Sequence, residues 1–169
     1  MPAFREATAA DAAAIAAIVN ISYRGDSSRK GWTTEADLLH GARTSEAEVK
    51  ELFSSTSKVI VATHDGTIIG CVNIQLRSDK SRAYLGMFVV RPDLQGKGLG
   101  KELLAAAETA IVSSWKSRTV EISVFTVRSE LLAFYERRGY KRTGRTWPAT
   151  FPDALVSDLK FEALVKALQ

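Results

Sequence analysis

The stretch Leu85 to Leu104, LGMFVVRPDLQGKGLGKELL, limits the folds open to this chain more than any other. Met87 to Val90 is a short apolar run of the kind buried in a sheet. Arg91-Pro92-Asp93 breaks it, since proline fixes φ and lacks the N–H that a strand needs. Gly96, Gly98 and Gly100 are then interleaved with Lys97 and Lys101, and a helix opens with Lys101-Glu102-Leu103-Leu104. A strand that runs through a glycine loop into a helix N-terminus is a ready anion site. Unpaired amides point outward there, and the helix dipole favours negative charge. Glycine permits positive φ and close approach of the main chain to a ligand. A phosphate-bearing ligand is therefore the first expectation.

Three phosphate motifs need to be separated. A P-loop requires G-x-x-x-x-G-K-[ST], but Gln95 stands at its first glycine and Glu102 at its Ser/Thr. The dinucleotide fingerprint requires G-x-G-x-x-G, and the third glycine here comes one residue too early. What remains is Q-x-x-G-x-G, met by Gln95, Gly98 and Gly100. Following a strand that ends in Val-Arg-Pro, this pattern resembles the pyrophosphate loop of the GNAT N-acetyltransferase superfamily. Members of that superfamily bind acetyl-CoA and pass its acetyl group to an amine.

Composition is compatible with that class. A chain of 169 residues, 46% hydrophobic and 25% charged, suits one globular domain covering residues 1–169. Cys71 is the sole cysteine, which excludes an intrachain disulfide and a cysteine metal cluster. Between Gly70 and Val72 it reads as a buried strand thiol. No apolar run reaches the ~20 residues of a membrane helix. Met1 to Glu6 lacks the charged and apolar regions of a signal peptide, so the expected location is cytoplasmic and no membrane partner is expected. The net charge of +4 is mildly basic. Arg91, Lys97 and Lys101 supply charge where a phosphate would bind. Arg137, Arg138, Lys141, Arg142 and Arg145 read as a solvated face at a helix end, and no nucleic-acid motif accompanies them.

Along the chain, Phe4 to Ala7 reads as a strand, and Thr8 with Asp11 as the capping box of a helix carrying Ile15, Ile18, Val19 and Ser22 on one face. A short helix is expected from Thr33 or Thr34 through Leu39, and another from Ser45 through Phe53. Lys58 to Thr63 and Thr67 to Leu76 flank Asp65-Gly66, a hairpin turn, and Ala83 to Val90 completes a meander. A helix from Gly98 to Val112, a strand from Thr119 to Phe125 and a helix from Ser129 to Arg138 follow, with Gly139 as the residue just past the helix end. Tyr140 to Thr146 and about Leu159 to Val165 are the last strands, separated by a loop from Trp147 to Ala154. The predicted class is α/β, with a mixed sheet and helices packed on it.

Ser129 to Tyr140, SELLAFYERRGY, resembles the second GNAT signature, a helix carrying Phe-Tyr before a Gly-aromatic step. The resemblance implies a central, mostly antiparallel mixed sheet flanked by helices, and it assigns roles. Phe88, Val89 and Val90 would pair with the pantetheine arm. Gln95, Gly96, Lys97, Gly98, Leu99, Gly100 and Lys101 would wrap the pyrophosphate through main-chain amides. Tyr135 matches the tyrosine beside the thioester sulfur, and Ser129 stands where relatives often carry a cofactor-binding Asn. Chemistry supports Tyr135 independently, since a phenol near pKa ~10 can donate a proton to a departing thiolate.

The acceptor side falls to Ser22 through Arg43, SYRGDSSRKGWTTEADLLHGAR, which forms one cleft wall in superfamily members. Tyr23, Trp32, Thr33, Asp37 and Arg43 are its candidate substrate contacts, and Glu35 the candidate catalytic carboxylate. Aromatic residues with nearby carboxylates suit a cationic amine. Glu121 is a separate candidate base. The leading reading is acetyl transfer from acetyl-CoA to a primary amine of a small molecule or peptide by direct attack. A non-catalytic acyl-CoA sensor or interaction module is the alternative. Dimers are frequent among such relatives, which makes a homodimer the assembly to test.

Overall fold

The structure is a computed structural model and describes residues 1–23, 43–149 and 158–169. Thr8 turns the chain from its first strand, β1 (Ala3–Glu6), into a helix. Its N–H donates to Asp11 Oδ2 at 2.9 Å, and Arg5 grips the same carboxylate at 2.8 and 3.0 Å. A single 3₁₀ turn, Ala9–Asp11, leads into α1 (Ala12–Tyr23). The helix expected between Thr33 and Leu39 lies outside the described residues. Ser45 caps α2 (Glu46–Lys50), its Oγ accepting the Glu48 N–H at 3.2 Å. This helix is shorter than the expected run to Phe53, because Leu52 and Phe53 turn aside to pack beneath α1.

β2 (Ser57–His64) and β3 (Thr67–Leu76) are joined by Asp65 and Gly66, both at positive φ, 49° and 78°. Two such residues give the turn whose twist matches a hairpin. β4 (Ala83–Val90) completes the meander. α3 (Leu99–Trp115) then carries the chain across to β5 (Thr119–Phe125), which lies parallel to β4. α3 outlasts its expected end at Val112. Ser113 Oγ back-bonds to the Ala110 carbonyl at 3.2 Å, and the Trp115 indole N–H reaches the Ser55 carbonyl at 3.0 Å. α4 (Ser129–Arg137), β6 (Lys141–Pro148) and β7 (Lys160–Ala167) finish the fold. Trp147 and Pro148, expected in a loop, extend β6, where the Trp147 ring packs at 5.9 Å from Phe161.

The seven strands form one mixed sheet in the order β1-β2-β3-β4-β5-β7-β6, with β4 and β5 its parallel neighbours among the described residues. α3 and α4 bury Leu103, Leu104, Ile111, Leu132 and Phe134 on one face, against Ile74, Leu85, Ile122 and Leu164. α1 buries Ile15, Ile18 and Val19 on the other, against Val59, Val61, Cys71 and Val89. In both layers the apolar stripe of a helix meets an apolar face of the sheet.

β4 carries the irregularity that makes the site. Cys71 faces Val89 and Asn73 faces Gly86, so Met87 and Phe88 together stand opposite Val72. This is a β-bulge, and Met87 takes φ of 49° within it. The extra residue shifts the alternation. Leu85, Phe88 and Val90 face α3 and α4, whereas Met87 and Val89 face α1. β4 pairs with β5 only at Ala83–Val120 and Tyr84–Glu121, and beyond those pairs the strands part.

Candidate active site

The loop after β4 is held open from within. Gln95 donates its amide Nε2–H to the Val90 carbonyl at 2.9 Å, tying the loop back to the strand end. Gly96 and Gly98 sit at φ of 83° and 86°, a region other residues enter only under strain. Gly98 is the N-cap of α3, and no side chain caps the helix. The Glu102 N–H is the first to find a helical acceptor, Gly98 O at 3.1 Å. The amides of Leu99, Gly100 and Lys101 precede it and have no acceptor within the helix.

These amides border a cavity of about 320 Å³ beside the parted strands. Phe88 and Val90 of β4, and Phe134 of α4, give it an apolar wall, while Gln95, Gly96, Gly98 and Gly100 give it a main-chain wall. Lys101, Arg137 and Arg138 also line it, and no carboxylate among the described residues does. A Cβ on Gly100 would lie 3.7–3.8 Å from Phe88, Phe134 and Val90, three side chains that line the cavity. An uncapped helix start, a glycine cradle and unopposed cations fit a diphosphate.

The predicted contact residues divide. Phe88, Val90, Gln95, Gly96, Gly98, Gly100 and Lys101 come together around the cavity. Lys97 and Leu99 instead line a separate groove with His64 and Glu102, and Leu99 also belongs to the core under α3. Val89 is fully buried on the opposite face of the sheet, under α1. Ser129 is exposed at the start of α4 and does not line the cavity. Phe134, Arg137 and Arg138 were not among the predicted contacts. Their i, i+3, i+4 spacing places them on one side of α4 and was the available signal.

Tyr135 lies one layer beneath. It is buried, with its ring 6.2 Å from Phe88, 5.3 Å from Phe134 and 5.5 Å from Tyr140. Below it, the Tyr140 hydroxyl donates to Glu108 Oε2 at 2.9 Å, and Lys166 Nζ donates to both oxygens of that carboxylate at 2.9 and 3.1 Å. Burial, then the Glu108 charge, push the Tyr140 phenol far above its ordinary range, so Tyr140 stays protonated and supports the Tyr135 ring.

On the α1 side, Asn20 clasps the chain that leads into α2. Its Oδ1 accepts the Arg43 and Thr44 N–H groups at 2.7 and 3.0 Å, and its Nδ2 donates to the Thr44 carbonyl at 2.9 Å. The charge of Arg43 is felt at Cys71, opposite the bulged part of β4. Burial nevertheless dominates and pushes the Cys71 thiol up to about 12, which makes it inert as a nucleophile at neutral pH. Trp32, Thr33, Glu35 and Asp37, and the side chain of Tyr23, lie outside the described residues. Glu121 does not serve the cavity. Its Oε1 accepts from Arg82 and Arg145 at 2.9 and 2.8 Å, Arg77 lies 3.5 Å from its Oε2, and it sits at the paired end of β4 and β5. Arg142 is likewise committed, to Glu162 at 2.6 Å, so much of the basic β6 surface is neutralised in pairs.

A family model described as an acetyltransferase (GNAT) domain matches residues 28–149, more than half of the chain. The chain belongs to the GNAT acetyltransferase family. No significant sequence match is found among curated proteins. Solved structures similar to this GNAT chain share its fold at low identity. A GNAT-family acetyltransferase from Streptococcus pneumoniae is 20% identical, with a TM-score of 0.73 and all of both chains covered. YncA of Salmonella typhimurium, described as a putative acetyltransferase with its cofactor acetyl-CoA, is 19% identical with a TM-score of 0.72, covering 100% of this chain and 95% of its own. The spermidine/spermine N-acetyltransferase SpeG of Vibrio cholerae, in mutant form, is 15% identical with a TM-score of 0.71, covering 99% and 95%.

Proposed function

We propose that this GNAT chain is an acetyl-CoA-dependent N-acetyltransferase acting on a primary amine of a small molecule or peptide. One observation carries the reading: the uncapped start of α3 and the glycine cradle open into a cation-lined cavity where β4 and β5 part. The amides of residues 96–101, with Lys101, hold the diphosphate of acetyl-CoA. The pantetheine arm runs along the β4 edge that β5 leaves unpaired, as an added strand would. The bulge at Met87 and Phe88 turns that edge so that the thioester lies near the α1 side of the sheet, where the acceptor enters.

The acceptor nitrogen attacks the thioester carbonyl carbon, forming the C–N bond. The C–S bond then breaks and its electron pair leaves with sulfur. Tyr135 is the proposed proton donor to that sulfur, and the proton lost by nitrogen passes to water or a carboxylate. Glu35 is the proposed carboxylate at the acceptor, with Tyr23, Trp32, Thr33, Asp37 and Arg43 as its proposed neighbours. The products are an amide and free CoA thiol. Acceptance of polyamines is worth testing first, since the Vibrio cholerae structure carries that activity in its name.

Two measurements test the proposal. Calorimetry should show CoA binding, and a panel of polyamines, aminoglycosides, amino acids and peptides should include an acceptor that releases thiol from acetyl-CoA. Absence of CoA binding would overturn the site itself. Binding without thiol release from any acceptor would favour an acyl-CoA sensor.

A further inference from the structure

Beyond the diphosphate, the cavity holds more positive charge than one such group explains. Lys101 stands in the first turn of α3, beside the loop amides. Arg137 and Arg138 stand across from it on α4, contributed by a different element. No carboxylate among the described residues pairs with either arginine. The neighbouring Arg142 and Arg145 differ in this respect, each being held by a glutamate.

Arg138 is incompletely satisfied. Its guanidinium lies 4.1 Å over the Phe134 ring, and Nη1 donates to the Phe134 carbonyl at 3.2 Å. Its Nε is buried and has no hydrogen-bond partner. A buried donor left without an acceptor is unfavourable, and native structures keep few of them. The aromatic ring beneath holds the planar fork flat, an orientation suited to two-point contact with a phosphate. Arg137 is exposed at the rim and adds a second, less constrained charge.

CoA carries two separate phosphate groups, the diphosphate and a monoester on its ribose. We propose that Arg137 and Arg138 form a second phosphate subsite that takes the ribose monoester and selects CoA over 3′-dephospho-CoA. The inference rests on the CoA-binding reading above. The loop amides bind the diphosphate in either ligand, whereas the α4 arginines act on the group that distinguishes them. Stacked on Phe134, the Arg138 fork gains the acceptor it lacks when the monoester arrives.

The test is calorimetry with CoA and 3′-dephospho-CoA on the whole chain. Wild type should bind CoA about tenfold or more tightly than 3′-dephospho-CoA, the effect of losing one charged hydrogen-bonded contact. Arg138→Gln should weaken CoA by about that factor and leave 3′-dephospho-CoA within about twofold, so that the preference collapses. Arg138→Lys keeps the charge without the fork and should retain part of the preference; it carries the comparison if the Gln variant does not fold. Equal affinity of wild type for the two ligands would overturn the proposal. So would a parallel loss of both ligands in the Arg138 variants. If CoA itself does not bind, the acetyltransferase reading falls as well, whereas CoA binding without discrimination removes only this subsite.

Discussion

Gly100→Ala separates stability from ligand binding, because the same methyl group acts on both in opposite directions. Gly100 is the second residue of α3, and its φ is not in the left-handed region. The added Cβ meets Phe88, Phe134 and Val90 at 3.7–3.8 Å, ordinary van der Waals distances that require no repacking. Alanine is favoured over glycine in helices by about 0.5–1 kcal/mol. The variant should therefore fold at least as well as wild type, with Tm higher by up to about 4 °C. The three contacted side chains also line the cavity, so the methyl occupies space where a phosphate oxygen would approach the amides. Loss of one hydrogen bond to a charged group is worth about 1.5–3 kcal/mol, which weakens Kd about 10- to 100-fold. Thermal melting and calorimetry with CoA, on the same preparation, read the two effects. A folded variant that melts at or above the wild-type temperature and binds CoA within twofold of wild type would refute the placement of the phosphates over Gly100.

Other expectations follow from individual contacts. Tyr135→Phe should lower kcat by about 10²-fold or less while leaving CoA affinity unchanged, measured by thiol release and calorimetry; wild-type kcat would remove Tyr135 from the chemistry. Asn20→Ala strips the partners from two N–H groups and a carbonyl ahead of α2, and should destabilise the fold by about 2 kcal/mol in urea unfolding. The Arg5 guanidinium holds the Asp11 carboxyl down to about 2. A depressed folded pKa contributes stability above the unfolded value near ~3.9, lost as pH falls through about 2. Asp11→Asn should thus be less stable than wild type at pH 7, with the gap closing between about pH 4 and 2; a gap independent of pH would show that the charge of Asp11 is immaterial.

The sequence was most legible where local chemistry decides the outcome. Thr67–Leu76, Ala83–Val90 and Thr119–Phe125 are bounded by turns whose residues announce themselves, and the structure places those strands as expected. The Thr8–Asp11 and Ser45–Glu48 contacts are likewise local, three residues apart. What escaped was decided at a distance. β7 inserts between β5 and β6, a pairing that no local pattern encodes. Asn20 binds a partner 23 residues on and reads in sequence as one more helix residue. The bulge hides in GMFVV because a strand apolar on both faces shows no alternation to be broken. At the candidate site, the glycine loop was evident from spacing alone. Arg137 and Arg138 were not, because cations at a helix C-terminus serve the dipole equally well.

A strand with a bulge has a reading frame. Everything past Met87 in β4 is displaced by one place relative to the residues before it. Deleting that single residue would leave Leu85 and Phe88 two places apart, the spacing at which side chains share a face, so Phe88, Val89 and Val90 would keep their present neighbours. It would also bring the edge of β4 back into step, so that β5 could zip along it and close the gap. The extra residue is therefore spare to the packing of the two layers, and the gap that admits a ligand depends on it.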